Sequence, residues 1–179
     1  LWEDGEIGDG WNSVRPKAGP AVTGGRLTGV TAAVNSPLLA VVTLHILYTV
    51  PAGLQRTDQG LLRSGETVSL PVDLTLTLWR ESRMPEIRLA LDNTADNHRL
   101  RLALPVGKDI GRYTVNQSFA FIERQMEPDP ATASWVEADP AEKNMHGIIF
   151  ARRADGSGLA FVGQHGFYEA GGGQGTLFV

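Results

Sequence analysis

The stretch VDLTLTLW, Val72–Trp79, decides the fold class because its side chains alternate between apolar and polar as far as Leu78. Its valine and three leucines occupy every second position, and an aspartate and two threonines lie between them. Successive side chains of a β-strand point to opposite faces, so this pattern places one face against a core and the other in water. The segment therefore predicts a half-buried β-strand.

The same alternation recurs in EIRLALD, Glu86–Asp92, and in RLRLALP, Arg99–Pro105. The connecting segments RESRMP and NTADNH are polar and carry the Pro, Asn and Asp residues that turns favour. Three consecutive strands with short links predict an antiparallel meander that has one face in the core and the other face wet.

Other segments also favour strands. The apolar run between Pro37 and Pro51 is rich in β-branched residues, which predicts a strand or strand pair buried on both faces, with His45 in a core or between sheets. The pair Asp155-Gly156 lies between two apolar runs and predicts a hairpin. The acidic N-terminal stretch and EAGGGQG, Glu169–Gly175, are expected to be loops. No segment repeats apolar residues at helical spacing for three turns.

These patterns predict an all-β fold, a large antiparallel β-sandwich in which residues 1–179 form a single domain. The chain begins with Leu1 rather than Met, and we expect it to be a fragment of a larger multidomain protein. No stretch of about twenty apolar residues predicts a membrane span. No signal peptide is visible, so a cytoplasmic location is expected.

Charge and cysteine content exclude several classes of function. The net charge is −4 and no segment concentrates Lys and Arg, which argues against nucleic-acid binding through a broad basic surface. The absence of cysteine excludes disulfides, thiolate metal sites and a cysteine nucleophile. The four histidines form no metal-binding motif, and no serine lies in a nucleophile elbow.

The N-terminal acidic stretch is the strongest local hint of a metal. Glu3, Asp4, Glu6 and Asp9 alternate with glycines, and oxygen ligands on such a loop suit calcium. Their spacing matches no EF-hand, so a solvated acidic loop is the preferred interpretation. We therefore predict neither a metal site nor a catalytic residue in this chain.

A crowded turn is the most conspicuous polar feature of the sequence. In LDNTADNHRLRLALP, Leu91–Pro105, two aspartates, two asparagines, a histidine and two arginines fall within ten positions. Arg99 and Arg101 lie on one face of a strand, about 7 Å apart. Such a pair can bind carboxylates or sugar hydroxyls.

Three interpretations of this turn stay open. In the first, Asp92 and Asn93 fix the turn through bonds to the backbone, and Asp96 or neighbouring acids neutralise the arginines. In the second, the turn docks against another domain. In the third, it contacts a sugar directly.

The aromatic residues Trp11, Phe121 and Trp135 are expected in the core.

Several short motifs in one order resemble the C-terminal β-domain of family-38 glycoside hydrolases, the α-mannosidase and mannosylglycerate-hydrolase group. The stretches EDGEIGDGW, LDNTADNHRLRLALP, SFAFIERQ, SWVE and GFYEA carry the resemblance. The matching positions are Asp9 with Trp11; Asp92, Asn93, His98, Arg99, Leu100, Arg101 and Pro105; Phe121 with Arg124; Trp135 with Glu137; and Gly166 with Glu169. Asn97 stands where the family usually has Asp.

The resemblance implies a galactose-mutarotase-like sandwich that follows a separate α/β catalytic domain. In the family, that other domain carries the aspartate nucleophile, the acid/base residue and the zinc ligands for retaining hydrolysis of α-mannosides. No cofactor is then expected in this chain, and its partners are its own catalytic domain and a mannoside substrate. The candidates for substrate binding or interdomain contact are Asp9, Trp11, Asp92, Asn93, His98, Arg99, Arg101, Tyr168 and Glu169.

Two alternatives remain beside a non-catalytic domain. The supply of Trp and Tyr on an all-β scaffold is compatible with a carbohydrate-binding module. A mutarotase-like sugar epimerase would need a His and a Glu for proton transfer, for which His98 or His165 with Glu169 are the candidates.

Overall fold

The structure is a computed structural model that describes residues 1–8, 14, 16, 18–136, 138–164 and 169–179. The chain divides into two compact units, Leu1–Leu100 and Arg101–Val179. The described strands are β1 (Trp2–Gly5), β2 (Arg26–Asn35), β3 (Leu39–Pro51), β4 (Leu54–Thr57), β5 (Gly60–Arg63), β6 (Thr67–Trp79), β7 (Glu86–Leu91), β8 (His98–Arg101), β9 (Ala103–Pro105), β10 (Arg112–Asn116), β11 (Phe121–Gln125), β12 (Glu142–Asn144), β13 (Ile148–Arg152), β14 (Gly158–Val162), β15 (Glu169–Gly173) and β16 (Thr176–Phe178).

The helical content of the described ranges is a single 3-10 turn at Pro130–Thr132. Asp129 caps this turn by accepting a hydrogen bond from the backbone of Ala131. No helix in the described residues is long and apolar enough to cross a membrane.

The main sheet of the first unit has the strand order β2-β3-β6-β7. β3 and β6 pair along their whole length, from Leu39 opposite Trp79 to Pro51 opposite Thr67. β6 also pairs antiparallel with β7, as the alternating pattern predicts. Directly opposite residues of an antiparallel pair share a face, so the leucines of β6 and β7 lie on the same face of the sheet.

The predicted meander is wrong at its third strand. The alternating segment Arg99–Pro105 is divided between β8, which pairs with β1, and β9, which pairs with β16. The link before it diverts the chain, because Asn97 adopts a left-handed backbone with φ of 52°. Backbone hydrogen bonds from Asp96 to Ala52 and from Glu6 to Asn97 hold the diverted chain away from the β7 edge.

The core of the first unit packs against one face of the main sheet, near the C-terminal end of β3 and the N-terminal end of β6. It is formed by Tyr48, Val50, Leu70, Val72 and Ala95. The prediction that the run between the two prolines is buried on both faces is wrong. The polar residues of β3 fall at alternate positions, and this spacing sorts them onto one face of the strand.

His45 lies on that polar face, and its predicted place in a core is also wrong. Its side chain is 38% exposed. Its Nδ1 lies 2.8 Å from Oδ1 of Asp73 and its Nε2 lies 2.9 Å from Oγ1 of Thr31.

The second unit contains two four-stranded sheets, β11-β10-β13-β14 and β12-β15-β16-β9. Its buried core consists of Val106, Ile110, Tyr113, Val115, Met126, Met145, Ile149, Ala151, Ala170, Leu177 and Val179. The hairpin predicted at Asp155-Gly156 is confirmed by the antiparallel pairing of β13 with β14. Gly156 has φ of 86°, and Oδ1 of Asp155 accepts a hydrogen bond from the backbone of Ser157 at 2.8 Å.

The glycine-rich tail is a hairpin, so the prediction of a loop there is wrong. β15 and β16 pair antiparallel, and the turn between them places Gln174 and Gly175 at positive φ. Glycine is required within β15 because a side chain at Gly172 would collide with Met126. The strand therefore packs by its backbone, which apolar alternation does not reveal.

The predicted fold class is confirmed: the chain is all-β, with antiparallel sheets that match a sandwich-like domain. The assignment of residues 1–179 to a single domain stays a prediction. Each of the two units contains its own buried cluster.

Candidate functional site

The crowded turn surrounds a buried carboxylate that the sequence analysis had assigned to a solvated acidic loop. Glu3, in β1, is completely buried. Its Oε1 accepts a hydrogen bond from Nη2 of Arg63 at the end of β5, and it lies 3.2 Å from Nδ1 of His98 at the start of β8. The backbone of Glu3 also pairs with Val22, with N–O distances of 2.9 and 2.8 Å. Three separate strands thus meet at one carboxylate.

Asn93 holds the other side of the His98 ring. Its Oδ1 accepts a hydrogen bond from the backbone N–H of Ala95 at 3.2 Å, which fixes the amide orientation. The same oxygen lies 2.9 Å from Nε2 of His98. Both ring nitrogens of His98 therefore face oxygen atoms.

Arg63 reaches Glu3 across a glycine. Its Nη1 donates to the carbonyl of Pro20 at 2.9 Å. Its side-chain carbons occupy the space where a Cβ at Gly19 would lie, and Gly19 has φ of 121°. Any other residue at position 19 would be strained and would also displace the arginine.

The two arginines of the turn pair with acids far away in the sequence. Nε of Arg99 lies 3.7 Å from Oδ1 of Asp4 in β1. In the second unit, Arg101 donates to Oε1 of Glu142 in β12, and its guanidinium lies 4.7 Å from the centre of the Phe178 ring. The proposed neutralisation of the arginines is thus present, but Asp4 and Glu142 provide it in place of Asp96.

These contacts contradict a solvated acidic loop at Glu3 and Asp4, which are 0% and 7% exposed. Arginine partners replace water around both carboxylates. Glu6 instead stays in the loop, where Oε1 accepts the backbone N–H of Gly8 and of Val14 at 2.7 Å each. In the described ranges, no three His, Cys, Asp or Glu side chains come together as a metal site.

The remaining candidates are dispersed. Asp9, Trp11 and Tyr168 lie outside the described residues. Asp92 is exposed in the turn, and Glu169 is exposed at the start of β15, opposite Asn144 of β12. The predicted core positions of Phe121 and Trp135 are wrong, because these side chains are 61% and 64% exposed.

A groove of about 700 Å³ in the second unit was not anticipated. Its described lining residues include Lys108, Gln125, Glu127, Asp129 and Gln174. Both carboxylates are exposed, and Oε1 of Glu127 accepts the backbone N–H of Gln174 at 2.6 Å. The groove is open, and these polar side chains line it together with apolar ones such as Ile110 and Met126.

The segment beside this groove is held by a short ion pair. Nζ of Lys143 lies 2.6 Å from Oδ1 of Asp139, and Oδ2 of Asp139 accepts the backbone N–H of Asp129 at 3.0 Å. The hydrogen bond from Lys143, together with that backbone bond, lowers the pKa of Asp139 below its usual value. Burial raises the pKa of Tyr113 in the adjacent core.

Known proteins that resemble the chain were found by sequence and by structure. No family model matches it. A protein of Halalkalibacterium halodurans named as a mannosylglycerate hydrolase is 28% identical over 108 residues, which are 54% of this chain and 12% of the relative. The chain therefore spans about an eighth of the length of that relative.

Two solved structures from Enterococcus faecalis have a similar fold. The crystal structure of an α-mannosidase matches with a TM-score of 0.84 at 16% identity, over 99% of this chain and 21% of the other. A protein of glycosyl hydrolase family 38 matches with a TM-score of 0.80 at 16% identity, over 99% of this chain and 22% of the other. The resemblance to a domain of family-38 glycoside hydrolases, first indicated by the ordered motifs, is thereby confirmed.

Proposed function

We propose that this chain is a non-catalytic β-domain, C-terminal in its parent, of an α-mannosidase-like retaining glycoside hydrolase. It supports an α/β catalytic domain and lines part of the substrate cleft. The parent hydrolyses α-mannosides, and its zinc and its nucleophile belong to the catalytic domain. The cytoplasmic location expected from the sequence stays a prediction.

The observation that carries this proposal is the internal use of the turn's charges. Glu3 is completely buried and binds Arg63 and His98, while Arg99 and Arg101 bind Asp4 and Glu142. A catalytic carboxylate must reach the substrate within hydrogen-bond distance. Glu3 is enclosed by its own partners, so these side chains act by holding strands together.

The relatives support the activity of the parent. The solved structures are those of an α-mannosidase and of a family-38 hydrolase, and this chain covers about a fifth of each.

Hydrolysis of an aryl α-mannoside with zinc present tests the proposal. The full-length protein should release the aryl alcohol, and the 179-residue chain alone should give no rate above buffer. Turnover by this chain at a rate comparable to the full-length protein would show that it contains the catalytic residues. Failure of the full-length protein on every α-mannoside offered would refute the parent activity.

A carbohydrate-binding module is a second candidate, because Phe121 and Trp135 expose aromatic side chains that can stack on sugars. Calorimetry against mannose and mannobiose tests it. Binding that disappears in Phe121→Ala or Trp135→Ala would support the module, and no heat at millimolar sugar would exclude mannose recognition. Of the two histidines considered for an epimerase, His98 has both ring nitrogens facing Glu3 and Asn93, and His165 lies outside the described residues, so the epimerase stays a prediction from the sequence.

A further inference from the structure

The main sheet of the first unit carries an apolar face that continues beyond its core. The pairing places Leu44 opposite Leu74 and Leu74 opposite Leu89 in one row across the sheet. The next row has Val42 opposite Leu76 and Leu76 opposite Ile87. These rows lie on the face that also carries the buried Tyr48, Leu70 and Val72.

Exposure rises steadily along this face. On β6, Leu70 and Val72 are 0% and 1% exposed, Leu74 and Leu76 are half-buried, and Leu78 is 48% exposed. Ile87 on the neighbouring strand is 43% exposed. We use the name outer leucine face for Val42, Leu44, Leu74, Leu76, Leu78 and Ile87. These residues stand outside the buried cluster of the first unit.

The opposite face is polar at the level of Leu74 and becomes apolar only at its outer end, where Val41, Leu39 and Trp79 lie. Oγ1 of Thr43 and Oγ1 of Thr75 lie 2.9 Å apart across β3 and β6. Asp73 and Thr31 contact His45 one pair further along. A sheet with both faces in water would have no need of a row of leucines on one face. The difference between the faces indicates that the outer leucine face is covered in the functional protein.

We propose that the outer leucine face is the docking surface for another domain of the same, longer polypeptide. The inference rests on the proposed function, and it names the surface through which this domain supports the catalytic one. The partner surface must be apolar, because a charge facing these leucines would be buried without a counter-ion.

The solved neighbours are much longer than this chain, and this favours another domain of the same polypeptide over a second copy of the chain as the occupant. The solved neighbours contain this fold as 21% and 22% of their chains. A domain tethered in the same polypeptide acts at an effective concentration in the millimolar range, well above that of a free second copy. Docking within one chain is therefore favoured by connectivity as well as by surface chemistry.

Thiol labelling of the full-length protein tests the proposal, because the 179 residues contain no cysteine of their own. Leu76→Cys reports on the outer leucine face, and Thr75→Cys, its half-buried neighbour on the opposite face, is the matched control. We expect N-ethylmaleimide to modify L76C at least tenfold more slowly than T75C, measured by mass spectrometry of the peptide, with equal rates in urea. Native rates within twofold of each other would overturn the proposal.

A second pair of cysteine variants keeps the test valid if a variant of the first pair fails to fold. Ile87→Cys lies on the outer leucine face of the edge strand β7, and Arg88→Cys points to the opposite face. The same protection of I87C relative to R88C supports the proposal, and equal rates overturn it. Protection that grows with protein concentration would identify a second copy as the occupant and would also overturn it.

The labelling outcome is independent of the parent's activity. Protection of L76C in a protein that cleaves no α-mannoside would refute the proposed function and leave the docking surface supported. Equal labelling in an active mannosidase would refute the docking surface alone.

Discussion

The two polar regions of this chain use the same residue types in opposite ways. Around Glu3, a carboxylate, an arginine and a histidine are buried and bind one another. In the groove of the second unit, Glu127 and Asp129 are exposed and bind mainly backbone N–H groups. The charges of the first arrangement stabilise the fold, and those of the second stay accessible to a ligand. Whether a charged side chain stabilises the fold or stays accessible thus depends on its burial and its partners, and not on its residue type.

The largest expected effect that tests this contrast is at Glu3. Glu3→Ala leaves Arg63 and His98 buried without their anion, and removal of one partner from a buried ion pair costs about 3–5 kcal/mol. Urea unfolding measures the loss. Glu66→Ala, at an exposed loop carboxylate, is the control and should change stability by less than about 0.5 kcal/mol. Equal losses at both positions would remove the contrast.

A comparison of two Arg–Glu pairs in the second unit tests the contrast between buried and exposed charges more closely. Arg101→Met breaks the buried pair with Glu142 and the contact with Phe178, and should cost about 2–3 kcal/mol. Arg112→Met breaks the exposed pair with Glu123, whose N–O distance is 2.5 Å, and should cost less than about 1 kcal/mol. Similar losses in thermal unfolding would contradict the assignment of Arg101 to the fold.

At the groove, the effect on stability should be small. Glu127→Gln keeps Oε1 available for the backbone of Gln174 and removes only an exposed charge, so the free energy of unfolding should change by less than about 0.5 kcal/mol. Denaturant titration of this variant beside Glu3→Gln measures the difference. A loss at Glu127 as large as the loss at Glu3 would mean that the groove carboxylate is structural too.

The smallest expected effect is the pH dependence contributed by Asp139. Its folded pKa is lowered, so the pair with Lys143 stabilises the protein above the unfolded pKa of about 3.9 and loses this effect as the pH falls towards the folded value. Lys143→Met should therefore lower stability at pH 7 by about 0.2–1 kcal/mol and by less near pH 2. Thermal melts at both pH values measure it. A constant deficit would show that packing, and not charge, is responsible.

Strand patterns with local causes could be predicted from the sequence. The leucine ladders of β6 and β7 and the hairpin at Asp155-Gly156 follow from alternation and turn chemistry within a dozen residues. β15 could not be predicted in this way, because a side chain at Gly172 would collide with Met126. Met126 lies 46 residues before Gly172 in the sequence.

The polar network was only half accessible to sequence reasoning. Asn93, His98, Arg99 and Arg101 were recognised as a cluster because they are close in the sequence. Glu3 and Arg63 were missed as its centre, since they lie 95 and 35 positions from His98 and carry no motif. The pairing of β1 with β8 brings Glu3 to His98, and the side chain of Arg63 reaches the same carboxylate from β5.

The central claim is that the turn's charges hold the fold and take no part in chemistry. Turnover of an aryl α-mannoside by the full-length protein carrying His98→Gln tests it most directly, at a temperature where both variant and parent are folded. The account predicts a kcat within about threefold of the parent, because His98 contacts Glu3 and Asn93. A loss of about a hundredfold or more with the fold intact, the magnitude of a missing general acid or base, would contradict it.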